Sequence, residues 1–298
     1  MPTENSKTNV AIIGVGSIGK AIAGSLDPRC VVALWDKHTG IVPKQGQMAE
    51  VIAAADVIFL CVPAPAARQV LRDIRASRKP EALVVTLAKG IEADTGQTIE
   101  TILAEELPQD SYALLSGPML AEEMEDGKGA VALVAAQNIS TYHKISAIFK
   151  PEFIRLEYSK DLRSVAYAGV LKNIYAMMLG IIDGLDYGNN IKGYFTGKII
   201  VELAIAAERL GLDKAIVAGI PGVDDFVATA FSPYSVNERA GSQLAKGLLP
   251  SNSEGFISLP RIIADLKNLD KLDVLKLLQE IIVNHKDPKT VVKDFLYH

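Results

Sequence analysis

The sequence predicts two domains: a doubly wound α/β domain over 1–160 and an all-helical domain over 161–298. Three observations carry this. Short β-branched runs alternate with helical patterns through the first half. A glycine turn joins the first of those runs to the first helical stretch. From Leu162 onward the apolar residues recur at helical period, with no convincing strand. The length of 298 residues agrees, since domains typically run to ~100–200 residues.

The elements follow in order. Val10–Ile13 is an apolar strand ending at Gly14, Ser17–Leu26 is an Ala/Ile-rich helix, and Cys30–Trp35 is a second strand closed by Asp36. This βαβ unit implies a buried parallel sheet. Met48–Ala54 reads as a helix, Asp56–Val62 as a buried strand, and Pro65–Ala76 as a helix with Arg68, Arg72 and Arg75 on its polar face. Ala82–Leu87 is a strand and Thr98–Leu107 a helix. Tyr112–Leu115, Ala130–Ala135 and Phe153–Tyr158 are further strands, with Thr141–Lys150 helical. The later helices are Val165–Ile182, Lys192–Leu210, Val236–Lys246, Ile257–Leu266 and Asp273–Asn284. No internal repeat or low-complexity linker is evident.

Composition narrows the function classes. Hydrophobic residues make up 49% and charged residues 22%, enough apolar material for packed cores. The net charge of −4 comes without a basic block, which argues against a nucleic-acid partner. Val165–Ile182 approaches the length of a membrane span, but Lys172 and Asn173 lie near its centre, and a charge there is costly. It reads as a core helix, with no membrane association. Met1–Asn9 is polar and lacks the pattern of a secretory leader. The two cysteines, Cys30 and Cys61, sit in apolar runs as buried thiols, and no ligand spacing suggests a metal. A reducing, cytoplasmic setting is expected.

Gly14-Val15-Gly16-Ser17-Ile18-Gly19 has the G-x-G-x-x-G spacing. The first glycine permits a tight turn, the second lets a pyrophosphate approach the backbone, and the third packs helix against strand. The helix start, with Ser17 and Ile18, then offers N–H groups to the phosphates. Asp36 stands where an acid would hold ribose hydroxyls, so NAD is the expected cofactor. NADP stays open, because Lys37 and His38 follow and could bind a 2′-phosphate.

Lys172 lies in VAYAGVLKNIYAMMLGII, where almost every neighbour is apolar. Burial would lower its pKa and let it exchange a proton near neutrality. A lysine reaching solvent from the edge of the apolar face fits the pattern equally. Gly222–Phe226 places Asp224 and Asp225 among apolar residues, either as partners of a buried cation or as a solvated loop. Ser235 with Glu238 has capping-box spacing and marks a helix start.

Together these residues resemble the NAD(P)-dependent glycerol-3-phosphate dehydrogenase family. The resemblance rests on the glycine turn, TLAKG (86–90), SGPMLAEE (116–123), LKNIYAMMLGIIDGLDYGNNIK (171–192), PGVDDFVAT (221–229) and SVNERAG (235–241). It implies a Rossmann domain joined to a helical domain of the 6-phosphogluconate-dehydrogenase-like type. It implies Lys172 as acid/base, Asp225 as its orienting acid, and Lys89 as a catalytic and substrate-contacting lysine. Gly117, Asn173, Thr229 and Asn237 are the implied substrate contacts. Pro63, Ala121 and Glu254 join Gly14, Gly16, Ser17, Ile18, Gly19 and Asp36 as cofactor contacts. The implied reaction moves a hydride between NAD(H) and sn-glycerol 3-phosphate or dihydroxyacetone phosphate, with Lys89 and Asn173 stabilising the alkoxide. A homodimer is a further expectation by analogy.

The sequence departs from the family pattern at the phosphate grip. Val236 stands where an arginine is expected, Glu238 at a second arginine position, Met119 at a polar position and Asp224 at a glycine. Arg239 remains, and Lys192 or Arg239 could compensate. The link from Asp36 to Ala54 is shorter than in the family. A dehydrogenase for another small alcohol or ketone, and a nucleotide-binding regulator with little turnover, therefore remain as alternatives.

Overall fold

In a computed structural model, residues 7–250 and 253–298 are described. Most of the polar leader reading, at 1–6, lies outside them. The chain forms two compact units. The first runs up to Ala88 and again over Ile99–Leu162; the second comprises Lys89–Thr98 and Arg163–His298.

The first unit is built on seven strands in the order β2-β1-β3-β4-β5-β6-β7. They are β1 (Asn9–Ile13), β2 (Val31–Trp35), β3 (Val57–Leu60), β4 (Leu83–Thr86), β5 (Tyr112–Ser116), β6 (Ala130–Ala135) and β7 (Ile154–Ser159). Helices α1 (Ser17–Ser25), α2 (Met48–Ala54), α3 (Ala64–Ser77), α4 (Ile99–Glu106), α5 (Ala121–Glu125) and α6 (Ile139–Ser146) join them. β1 pairs in parallel with both β2 and β3. The strand order therefore reverses beside β1, and ligands of open α/β sheets bind at such a switch point. β3, β4 and β5 are buried along their whole length, which is why they read as continuous apolar runs.

Three sequence expectations need correction here. β2 is an edge strand and not a buried one: Val31 is 46% exposed, because β1 covers only one of its sides. An apolar run alone does not tell an edge from a centre. β6 runs antiparallel to β5, so the sheet is mostly but not wholly parallel. The short helix α5 falls where the sequence pattern assigns no element. Cys30 and Cys61 are free and only partly buried.

The second unit is helical: α7 (Leu162–Gly184), α8 (Gly188–Arg209), α9 (Lys214–Ala218), α10 (Asp225–Ala230), α11 (Val236–Ala245), α12 (Glu254–Leu266), α13 (Asp273–Leu278) and α14 (Pro288–Tyr297). Helix α7 is apolar on all sides and is enclosed by the rest of the unit, with 94% of its most apolar window buried. It is a core helix, as helices without a polar face must be. α11 lies directly on it. A Cβ at Gly180 would come within 1.9 Å of the Glu238 carbonyl, and one at Gly241 within 1.9 Å of the Met177 carbonyl. Helices α9, α10 and α14 were not read from the sequence. The segment Gly222–Phe226, open between a partner and a solvated loop, is a wide π-type turn, Ile220–Asp224, leading into buried α10.

Candidate active site

In the first unit, the glycine turn has the form its spacing demands. Gly14 has φ +96°, and a Cβ there would sit 2.6 Å from the Cys61 carbonyl at the end of β3. A Cβ on Gly19 would lie 2.1 Å from the Gly14 carbonyl. Gly16 differs: nothing lies within 4 Å of a Cβ built on it. Gly16 also caps α1 without any side-chain bond, and Gly16 and Ser17 are exposed. The first N–H groups of α1, at Ser17, Ile18 and Gly19, are thus not capped by a side chain, and they open at the positive end of the helix. This arrangement suits a dinucleotide pyrophosphate. Pro63, exposed at the start of α3, and Ala121, buried at the start of α5, lie beyond the carboxyl ends of β3 and β5. Gly117 directly follows β5.

Asp36 is anchored within the hydrogen-bond network of the glycine turn itself. Its carboxylate accepts hydrogen bonds from the backbone N–H of Val15 at 2.8 Å and of His38 at 2.9 Å, and the residue is 7% exposed. It braces the glycine turn from beneath. Gln45, which the sequence reading passed over, holds the Asp36 backbone through both its N–H and its carbonyl, at 3.0 and 2.8 Å. Lys37 and His38 are exposed. Met119 is buried in the sheet core, so its thioether replaces a polar side chain by packing.

The second unit brings the predicted chemical residues together. Lys89 leaves the end of β4; Lys172 and Asn173 lie on α7, and Asp225 and Thr229 on α10. Asp225 is the centre: Lys89 Nζ lies 2.6 Å from one carboxylate oxygen and Lys172 Nζ 3.3 Å from the other. Lys172 also donates to Thr229 Oγ1 at 2.8 Å, and Thr229 donates to Asp225 at 3.3 Å. Lys172 is buried and not an edge lysine. Burial pulls its pKa down to about 8; the Asp225 carboxylate opposes that fall and the Lys89 charge adds to it. Gly169, one turn before Lys172, faces the Lys89 stem, where a Cβ would approach Cγ at 3.1 Å.

A polar network adjoins the lysines. The Asn173 amide nitrogen donates to the Lys89 backbone carbonyl at 3.1 Å and to Glu254 Oε2 at 3.2 Å. Asn237 Oδ1 accepts from Ser253 Oγ at 3.0 Å and from Gly255 N at 3.1 Å, tying the start of α11 to the start of α12. Ser253 caps α12 through Phe256 N. The sequence reading missed Ser253, although a serine before an apolar periodic run is a start signal.

The cations considered for a phosphate are engaged. Lys192 lies 2.5 Å from Asp183 and 2.8 Å from Glu238, with the Phe231 ring over it at 5.1 Å. Burial raises the Glu238 carboxyl to about 7 against the pull of Lys192. Arg239 is exposed and donates to the Tyr234 carbonyl at 2.9 Å. Val236 is exposed.

Comparison with known proteins places this geometry. Residues 161–293 match the C-terminal domain, and 38–142 the N-terminal domain, of NAD-dependent glycerol-3-phosphate dehydrogenase. The chain is 30% identical to glycerol-3-phosphate dehydrogenase [NAD(P)+] from Geobacillus kaustophilus over 323 residues, covering 97% of this chain and 94% of that protein. The chain belongs to the NAD-dependent glycerol-3-phosphate dehydrogenase family. Membership makes it an NAD(P)-dependent dehydrogenase. Another relative in the family, from Thermobifida fusca, is 32% identical over 267 residues, covering 81% of this chain and 80% of that one. The family fold is equally clear. A glycerol-3-phosphate dehydrogenase structure from Coxiella burnetii superposes with a TM-score of 0.85 at 22% identity, covering 98% of this chain and 99% of that one.

Proposed function

We propose that this family member interconverts dihydroxyacetone phosphate and sn-glycerol 3-phosphate, with Lys172 as the acid/base. The observation that carries this reading is the buried Lys172, held by Thr229 and Asp225 beside Lys89. Gly14–Gly19 would cradle NAD(H), which would supply or accept the hydride when bound. Lys172 Nζ gives its proton to the carbonyl oxygen in reduction and takes it back in oxidation. Its lowered pKa suits both directions near neutrality. Asp225 keeps the lysine within reach of its charged form, and the Lys89 ammonium adds positive charge where the alkoxide develops. Gly117 and Asn237 are proposed as substrate contacts, and Pro63, Ala121 and Glu254 as cofactor contacts. The expected setting is the cytoplasm, with a small phosphorylated molecule as ligand and a second copy of the chain as partner.

A second reading has a specific observation behind it. Val236 offers no charge, and Glu238 and Asp183 engage Lys192. A dehydrogenase for an unphosphorylated ketone or alcohol would have such an end wall. Following NADH absorbance with dihydroxyacetone phosphate, unphosphorylated dihydroxyacetone and NADPH in parallel separates the two. Turnover of the phosphate, reduced roughly 10²–10⁴-fold in Lys172→Ala, supports the first reading. Turnover of dihydroxyacetone alone would replace it with the second.

A further inference from the structure

We infer that Asn173 and Glu254 are positioning residues that clasp the backbone of Lys89, and that Asn173 does not donate to the substrate oxygen. A carboxamide nitrogen carries two N–H donors. In Asn173 one faces the Lys89 carbonyl at 3.1 Å and the other faces Glu254 Oε2 at 3.2 Å. Both partners are acceptors only, which fixes which amide atom is the nitrogen; the reverse would set three oxygens against one another. Asn173 is 3% exposed, so solvent cannot replace either bond. Donating to an alkoxide would break one of these two bonds, because both amide N–H groups are already engaged.

The surroundings are built around this clasp. A Cβ on Gly255 would lie 2.5 Å from the Asn173 carbonyl, so the first turn of α12 sits directly on α7 there. Asn237 holds that turn through Ser253 and Gly255 N. Glu254 is thereby fixed, and it orients the Asn173 amide. Lys89 needs such a hold, because its segment (89–98) is only a short excursion, with an Ile91–Thr98 bridge, between β4 and α4. Its ammonium must still meet Asp225 at 2.6 Å to act on the shared carboxylate.

The inference rests on the proposed reaction for its kinetic test and on titration for an independent one. Asn173→Ala and Lys89→Ala would each lower kcat/KM for dihydroxyacetone phosphate. The double variant should fall within about threefold of Lys89→Ala alone, because coupled residues are not additive. Glu254→Ala should be non-additive with Lys89→Ala in the same way, and Glu254→Gln, which keeps an acceptor oxygen, should recover part of the loss. In parallel, the 13Cε resonance of Lys172 is titrated in wild type and Asn173→Ala. Releasing Lys89 removes a neighbouring positive charge and frees Asp225 for Lys172, so the Lys172 midpoint should rise. Effects that multiply, or a Lys172 midpoint unchanged by Asn173→Ala, would overturn the clasp. A wild type that ignores dihydroxyacetone phosphate would sink the proposed substrate, while the titration would still decide the clasp.

Discussion

Lys172 titrates at about 8 because it is buried, and this sets the sign of the pH profile. Ketone reduction needs the ammonium, so kcat should fall as pH rises through that value. Alcohol oxidation needs the neutral amine and should rise over the same interval. Stopped-flow rates in both directions from pH 6 to 10 test this, and parallel trends in the two directions would remove Lys172 from proton transfer. The glycine turn gives a second prediction at this scale. Gly19→Ala forces a Cβ to 2.1 Å from the Gly14 carbonyl, whereas Gly16→Ala meets nothing within 4 Å. Gly19→Ala should therefore unfold readily, while Gly16→Ala should keep its cofactor-free Tm. A ligand at 100 times its Kd stabilises by about 2.7 kcal/mol, and Gly16→Ala should lose that NADH-induced rise in Tm. An undiminished rise would place the pyrophosphate elsewhere. The lysine was legible as a residue out of place in an apolar run. Asp225 was not legible as its partner, because the 52 residues of chain between them carry no pattern that encodes a contact; the family resemblance supplied the link.

At the scale of elements, the long periodic helices and buried strands were readable, while α5, α9 and α10 were not. These three span five or six residues, too few for an apolar period to repeat, and like the short α13 they persist through caps and packing. Glu202 shows how. It reaches from the middle of α8 to the start of α13, accepting from Val274 N at 2.7 Å, Leu275 N at 3.3 Å and Tyr175 Oη at 3.1 Å. Burial nevertheless raises its pKa from 4.5 to about 7, since these bonds only partly offset lost solvation. The native state then holds a proton that the unfolded chain releases, so this contribution to stability is complete below about 4.5 and is lost as pH rises to about 7. Urea midpoints of the wild type should decline across that window. In Glu202→Ala that part of the slope should vanish. The variant should also lose about 2–4 kcal/mol at pH 5, since two N–H groups and a hydroxyl lose their acceptor. A slope that survives the substitution would assign it to other groups.

For the whole molecule, the two units divide after Leu162, yet the chain is not cut there cleanly. The segment Lys89–Thr98 lies between β4 and α4 in sequence and packs with the helical unit. Its ten residues carry no helical period, so a linear reading assigns them to the sheet. Ile91 shows the true allegiance: it is 2% exposed and belongs to the core of α7, α8 and α12. Ile91→Ala should therefore cost about 2–5 kcal/mol, as large-to-small changes in packed cores do, and the cost should fall on the helices. Hydrogen exchange followed by mass spectrometry can locate it. Exchange should accelerate across α7, α8 and α12 while β1, β3 and β4 keep their protection, because opening follows cooperative units and not sequence order. Lys89 is two residues away, so its ion pair with Asp225 should loosen together with the helical core. If the strands lost protection instead, the segment would belong to the cooperative unit of the sheet.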